Sequence, residues 1–151
     1  MKDMTYMDKA HILSVLPQRD PFLFIDEATL LDAEKGIITA SYRVRGDEEF
    51  FKGHFPDNPI LPGVILLEGL AQTCALMLFS YDAYKGKLAL FAKADDVRFK
   101  RVVRPGDVLT YRSEMVTLRP RLAVGKCVAT VGDEIACQAE VTSIILDGGS
   151  R

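Results

Sequence analysis

The sequence has only two histidines and three cysteines among its 151 residues, and both scarcities exclude chemistry. Cys74, Cys127 and Cys137 are an odd number with no CxxC spacing, which argues against a disulfide framework and a zinc site. Neither sign of charge dominates. Nineteen Lys and Arg against twenty-one Asp and Glu leave a net charge of -2, so no global field draws the chain to nucleic acid. Long apolar runs are also missing. The most apolar stretch, Val64 to Phe79, is interrupted by Glu68, Gly69, Gln72 and Thr73, and it falls short of the roughly 20 residues a membrane span needs. Asp3, Asp8 and Lys9 break up the N-terminus, which therefore does not read as a secretory signal. There is no GxGxxG, Walker loop, GxSxG or HExxH, and no internal repeat. The expectation is one cytoplasmic domain over residues 1–151, with no membrane span and no nucleic-acid partner.

What is present is a core. Hydrophobic residues make up 48% and charged residues 26%, the balance of a soluble globular chain. A short helix is expected over residues 8–16, ended by Pro17. Pro17 and Pro21 make a turn-rich connector, followed by predicted strands at Phe22–Leu31 and Ile37–Val44. Residues 46–62, rich in Gly, Pro, Asp and Asn, form a long loop of the kind that is often functional. Pro62 suits position N1 of a helix running to about Tyr81, apolar on nearly every side and so buried. Strands are predicted at Leu88–Lys93, Val97–Val103, Val108–Leu118, Leu122–Val131 and Ile135–Leu146, the last two as a hairpin. The tail from Asp147 to Arg151 is expected to fray. One buried helix among antiparallel strands is an α+β arrangement in which the sheet must curl around the helix. One chain would not cover that helix fully, so at least a dimer is expected.

Chemistry concentrates in GHFPDNPILPGVILLEGLAQ, residues 53–72. His54 lies between Phe51 and Phe55, with Gly53 before it and Pro56 after, a setting that holds an imidazole in one orientation. The competing explanation is a packed histidine bonded to a backbone carbonyl. Glu68 sits among Ile65, Leu66, Leu67, Leu70 and Ala71, and Gln72 shares its helix face. Desolvation raises the pKa of such a carboxyl and favours the protonated form that a general acid requires. A structural acid satisfied at a subunit interface is the alternative. The helix start at Gly63 and Val64 offers unpaired N–H groups and the positive end of the dipole, which suit a developing enolate oxygen. Base, acid and oxyanion site together fit reversible loss of water from a 3-hydroxyacyl thioester.

Arg98, Lys100, Arg101 and Arg104 form a cationic cluster, extended by Arg119 and Arg121. They are candidates for docking an acidic carrier protein or the phosphate of a pantetheine arm, with a solvated strand face as the plain alternative. His11 reads as a surface or packing residue, and Cys74 as a small core residue.

Residues 53–72 resemble the signature of the 3-hydroxyacyl-[acyl-carrier-protein] dehydratases of the FabZ type. LPQRDPFLFID (16–26) and DDVRFKRVVRPGDVL (95–109) resemble two further blocks of that family, in the same order. The resemblance implies a hotdog fold, a curved antiparallel sheet wrapped around one long central helix. It also implies homodimers, often assembled as a trimer of dimers, and an acyl carrier protein as partner. The family's catalytic histidine and glutamate fall on His54 and Glu68, one from each subunit, and its carbonyl-binding glycine falls on Gly63. Glutamate rather than aspartate at 68 favours this type over related dehydratase-isomerases. Two departures stand out. Gln18 replaces a usual histidine and lies outside the proposed acid–base pair, and Asp57-Asn58 replaces a common Gly-containing pair. The expected reaction needs no metal or redox cofactor, and Gln72 would help position the acid. The rivals are a hotdog thioesterase, in which an ionised Glu68 activates water, and a non-catalytic acyl-binding subunit.

Overall fold

Alternating burial builds most of the strands. In the computed structural model, which describes residues 4–148, β2 (Glu27–Asp32) and β3 (Ile37–Arg43) bury every second side chain. The same period continues in β5 (Val108–Arg119) and β6 (Leu122–Val131). With β1 (Thr5–Met7), β4 (Leu88–Phe99) and β7 (Glu134–Leu146) they form one antiparallel sheet, ordered β1-β2-β3-β5-β6-β7-β4. Register shifts at Phe91/Lys93 and Asp95/Arg98 in β4, and at Met115/Thr117 in β5, mark bulges that bend the long strands.

The bent sheet wraps α2 (Gly63–Leu78), in which every residue from Gly69 to Leu78 is buried. Small residues permit that close fit. A Cβ on Gly69 would strike the Tyr111 ring of β5, and a Cβ on Gly125 of β6 would lie 2.6 Å from Cys74 Sγ. Cys74 is a core residue, as expected, and its thiol lies 3.1 Å from Ser113 Oγ and 3.2 Å from Cys127 Sγ. α1 (Lys9–Val15) is capped by Asp8, whose carboxylate accepts from the His11 amide, and His11 is exposed.

Several boundaries differ from the sequence reading. Residues 22–26 are not strand. The Phe24 amide and Phe22 carbonyl, which a ladder would use, both bond the Gln72 side chain. The two strands expected over 88–103 are one, β4, because bulges absorb the charged residues between them, with Asp96 at φ 52°. Residues 100–103 leave the sheet, and Val103 O accepts from Leu61 N instead. Pro62 is the N-cap rather than N1, and α2 stops at Leu78, where Ser80 Oγ takes the Met77 carbonyl. β1 was not expected. Asp147 is tied by an ion pair to Lys87 at 2.8 Å, while residues 149–151 of the expected frayed tail lie outside the described residues. Among the described residues, no helix is long and apolar enough to cross a membrane.

Candidate active site

The loop before α2 fixes His54 from both sides. A 3₁₀ turn at Glu49–Lys52 lets Phe50 O accept from the His54 amide, and Ile60 N returns to His54 O at 2.9 Å. His54 Nδ1 lies 2.8 Å from Ile60 O. A carbonyl only accepts, so Nδ1 carries the hydrogen and a neutral ring keeps its lone pair on Nε2. The ring stacks on Phe55 at 4.2 Å. Arg104 Nη1 donates to Asn58 Oδ1 at 2.7 Å, and Leu61 N to Val103 O at 2.8 Å, so the loop is stapled to the chain after β4.

Upstream, the buried Glu48 anchors the same loop. It accepts from the Tyr42 hydroxyl at 2.5 Å and from the amides of Arg45 and Gly46. Burial works against its charge, but those donors outweigh it and hold the carboxyl below its ordinary pKa.

On α2, Glu68 is half-buried and sits four residues before Gln72. Burial pushes its carboxyl above the ordinary carboxylate range, and the hydrogen bond from Gln72 pulls it only part of the way back. Gln72 is fully buried and every polar hydrogen of its amide is used. Its Oε1 accepts from Phe24 N at 2.9 Å, and its Nε2 donates to Phe22 O and Glu68 Oε2, both at 3.0 Å. The two backbone partners settle which end of the amide is nitrogen. Glu68 Oε2 is therefore an acceptor, and the proton of a neutral Glu68 belongs on Oε1.

The expected residues divide between two cavities. His54, Gly63, Val64, Lys100 and Arg101 line one of about 600 Å³, closed on one side by Phe99. The Phe99 ring packs so closely on Gly63 that a Cβ there would lie 2.9 Å from its edge. Glu68 lines a separate cavity of about 200 Å³ with Ala71, Ala75, Ala89, Leu90, Phe91, Ser143 and Gln18. Within one protomer, the histidine and the glutamate thus face different spaces. Gln18 is a residue whose place the sequence reading missed. Set outside the acid–base pair there, it shares the Glu68 cavity here, and no periodicity in a proline-rich connector signals that.

The cationic cluster is less uniform than its spacing implies. Arg101 bonds Asp107 at 3.1 Å and Glu134 at 3.3 Å, and Arg104 holds Asn58 and Pro59 O. Arg98 and Lys100 are exposed. Among the described residues, no group of three or more His, Cys, Asp or Glu side chains is disposed to hold a metal ion.

A sheet curled around one buried helix is the hotdog fold, and solved hotdog proteins share it. A dehydratase heterocomplex, ApeI:P from Xenorhabdus doucetiae, superposes with a TM-score of 0.70 at 13% identity, covering 88% of this chain and 89% of that one. A hypothetical thioesterase with coenzyme A from Streptococcus pneumoniae TIGR4 gives 0.59 at 17% identity, over 77% and 83%. At such identities the likeness concerns the fold alone. Residues 16–140 match the FabA-like domain family, which places the protein in the FabA-like class of hotdog proteins. Curated relatives narrow the class. A 3-hydroxyacyl-[acyl-carrier-protein] dehydratase FabZ of Lactobacillus helveticus is 40% identical over 144 residues, 95% of this chain and 97% of that protein. Those of Bacillus cereus and Clostridioides difficile are each 43% identical, over 93% and 90% of this chain and 97% and 95% of theirs. The chain belongs to the FabZ family of 3-hydroxyacyl-[acyl-carrier-protein] dehydratases.

Proposed function

We propose that this protein removes water from 3-hydroxyacyl thioesters carried on acyl carrier protein, giving trans-2-enoyl thioesters in fatty-acid synthesis, with His54 as base and Glu68 as acid. The observation that carries the reading is the complementary disposition of the two groups. The Nδ1 hydrogen of His54 is committed to Ile60 O, so the neutral ring has its lone pair on Nε2. Burial makes Glu68 hold a proton more readily than a free carboxyl, with Oε1 left for that proton by Gln72. His54 takes the Cα proton, the thioester carbonyl rests on the amides at Gly63 and Val64, and Glu68 protonates the departing hydroxyl. A thioesterase would need the opposite state of Glu68, an ionised base for water. Residues 1–151 act as one hotdog domain in this reading, which is supported by the membership in one sheet of the seven strands found among the described residues.

The pair meets across a dimer. Edge strand β4 supports this, because its exposed Leu90, Phe91 and Phe99 leave an apolar, unpaired edge. Antiparallel pairing of β4 with its copy sets the Phe99 end of one protomer against the Leu88–Phe91 end of the other. Phe99 belongs to the His54 cavity and Ala89–Phe91 to the Glu68 cavity, so the pairing brings the two half-sites together. Such dimers could assemble further as a trimer of dimers. The exposed Arg98 and Lys100 are the cluster members positioned to meet an acidic carrier protein, with Arg101 and Arg104 beside them.

The test is incubation with a 3-hydroxyacyl carrier protein, following water loss by mass and thiol release in parallel. Water loss without thiol release, abolished in His54→Ala and Glu68→Gln, is the expected result. Retained turnover in both variants would sink the assignment.

A further inference from the structure

Glu68 does not face its cavity alone. Among the described residues, Gln18 Oε1 is the buried side-chain polar atom without a hydrogen-bond partner. It belongs to a residue that lines the cavity of Glu68, whose other walls are largely apolar: Ala71, Ala75, Ala89, Leu90 and Phe91. The residue is held in place. Arg19 Nη1 donates to Leu16 O and to the Gln18 carbonyl at 2.7 and 2.8 Å, and Nη2 donates to Leu13 O at 2.8 Å, so the connector after α1 is clamped at Gln18 itself. A buried acceptor left unpaired is unfavourable, and folded proteins rarely keep one without a role.

An amide oxygen only accepts, so whatever satisfies it must bring a hydrogen. The acyl group of the substrate in the proposed reaction has one hydroxyl, on C3. The acyl group of the enoyl product has none. Accordingly, and resting on the dehydratase reading, we infer that Gln18 is the residue that recognises the substrate's C3 hydroxyl, its Oε1 accepting the O–H hydrogen. That bond turns the oxygen lone pairs away from Gln18 and toward Glu68 Oε1, the oxygen that carries the proton because Gln72 occupies Oε2. In the elimination the Cα proton passes to His54 Nε2, and the electron pair it leaves becomes the C2–C3 double bond. The C3–O bond breaks with its electrons on oxygen, which takes the Glu68 proton and leaves as water. The proton on His54 returns to Glu68 through solvent, which restores the starting state. Water, still a donor, keeps the bond to Gln18 as it departs.

The inference predicts discrimination between substrate and product at one atom. Gln18→Met keeps the length of the side chain and removes the acceptor. The kcat/KM for a 3-hydroxyacyl carrier protein should fall about tenfold, as expected for one hydrogen bond, while the inhibition constant of the matching trans-2-enoyl carrier protein stays unchanged. The unliganded variant should melt no lower than the parent, because an unpaired acceptor has been removed. Gln18→Asn, which keeps the amide on a shorter stem, should retain more of the hydroxyacyl activity than Gln18→Met. Equal weakening of hydroxyacyl and enoyl binding, or no change in either, overturns the assignment while leaving the dehydratase reading intact. An unmodified protein that releases no water from any 3-hydroxyacyl carrier protein overturns both.

Discussion

Gln72 donates to Glu68 across one turn of α2 at 3.0 Å, and with its remaining groups it straps the helix to Phe22 and Phe24. One buried amide therefore serves both the fold and the acid. Gln72→Leu should orphan the Phe24 amide and the Phe22 carbonyl and cost about 2–6 kcal/mol of stability, at about 1–3 per unpaired group. It also removes the donor that favours the carboxylate. Glu68 should then hold its proton to higher pH, and the alkaline limb of the activity profile should move up. Denaturant titration and a pH–rate profile check the two effects separately.

The raised pKa of Glu68 has a stability counterpart. Below its ordinary value of 4.5, the carboxyl is protonated in both folded and unfolded chains and contributes no pH dependence. As pH rises through that value, the unfolded chain releases the proton while the folded one keeps it, so stability falls until the folded carboxyl also ionises. Glu68→Gln lacks this loss and can still accept from Gln72. It should be more stable than the parent, by a margin that is absent at pH 4, grows above it and then levels off. Melting temperatures across pH 4–9 check the sign. The same variant should lose about 10²–10⁴-fold in dehydration rate, the usual contribution of a general acid.

His54 and Glu68 line separate cavities within one chain, and this makes the shared site testable by mixing. His54→Ala and Glu68→Gln homodimers should both be inactive. Random exchange of subunits at equal amounts gives half heterodimers, each with one intact site of two. Activity should therefore return to about a quarter of the parent value, by the symmetry of a two-fold dimer. No recovery after verified exchange would place both residues of a site in one subunit.

Arg104 and Arg98 stand close in sequence but differ in attachment. Arg104 holds Asn58 and Pro59 in the His54 loop, whereas the Arg98 side chain is exposed and lies outside the lining of the His54 cavity. Arg104→Ala should lower kcat on a small thioester substrate that carries no protein. Arg98→Ala should leave that substrate unaffected and raise only the KM for the carrier-protein form, increasingly at low salt. Steady-state kinetics with both substrates separates loop anchoring from docking.

What could be read in the sequence followed from periodicity and from the loop. β3, β5 and β6 alternate in burial and α2 is buried along most of its length, and the ends of these elements and of β7 fall within a few residues of expectation. Residues that trade partners over long distances could not be read. The stretch Phe22–Leu31 has strand composition throughout, but Gln72, some fifty positions away, takes the backbone groups of its first half. β4 looked like two strands because a bulge is a matter of register, not of composition. β1 is three residues long, too short to show a period. His54 and Glu68 were legible because a lone histidine among Gly and Pro and a lone acid in an apolar helix are both out of place. Gln18 stood out only as a departure from the family's usual histidine, and the cavity it faces is what sets it beside Glu68.

The His54 loop and the turn after β4 are one mechanical unit. Leu61 bonds Val103 and Arg104 bonds Asn58. Asp107 O accepts from Val44 N, while its carboxylate holds Arg101 and the Arg104 amide. Neither segment can be exchanged alone. A chimaera that imports residues 46–62 from a relative should fold but misplace its histidine unless residues 100–107 come with it. Swaps of this family's active-site loops must therefore be designed in pairs that lie far apart in the gene and side by side in the protein.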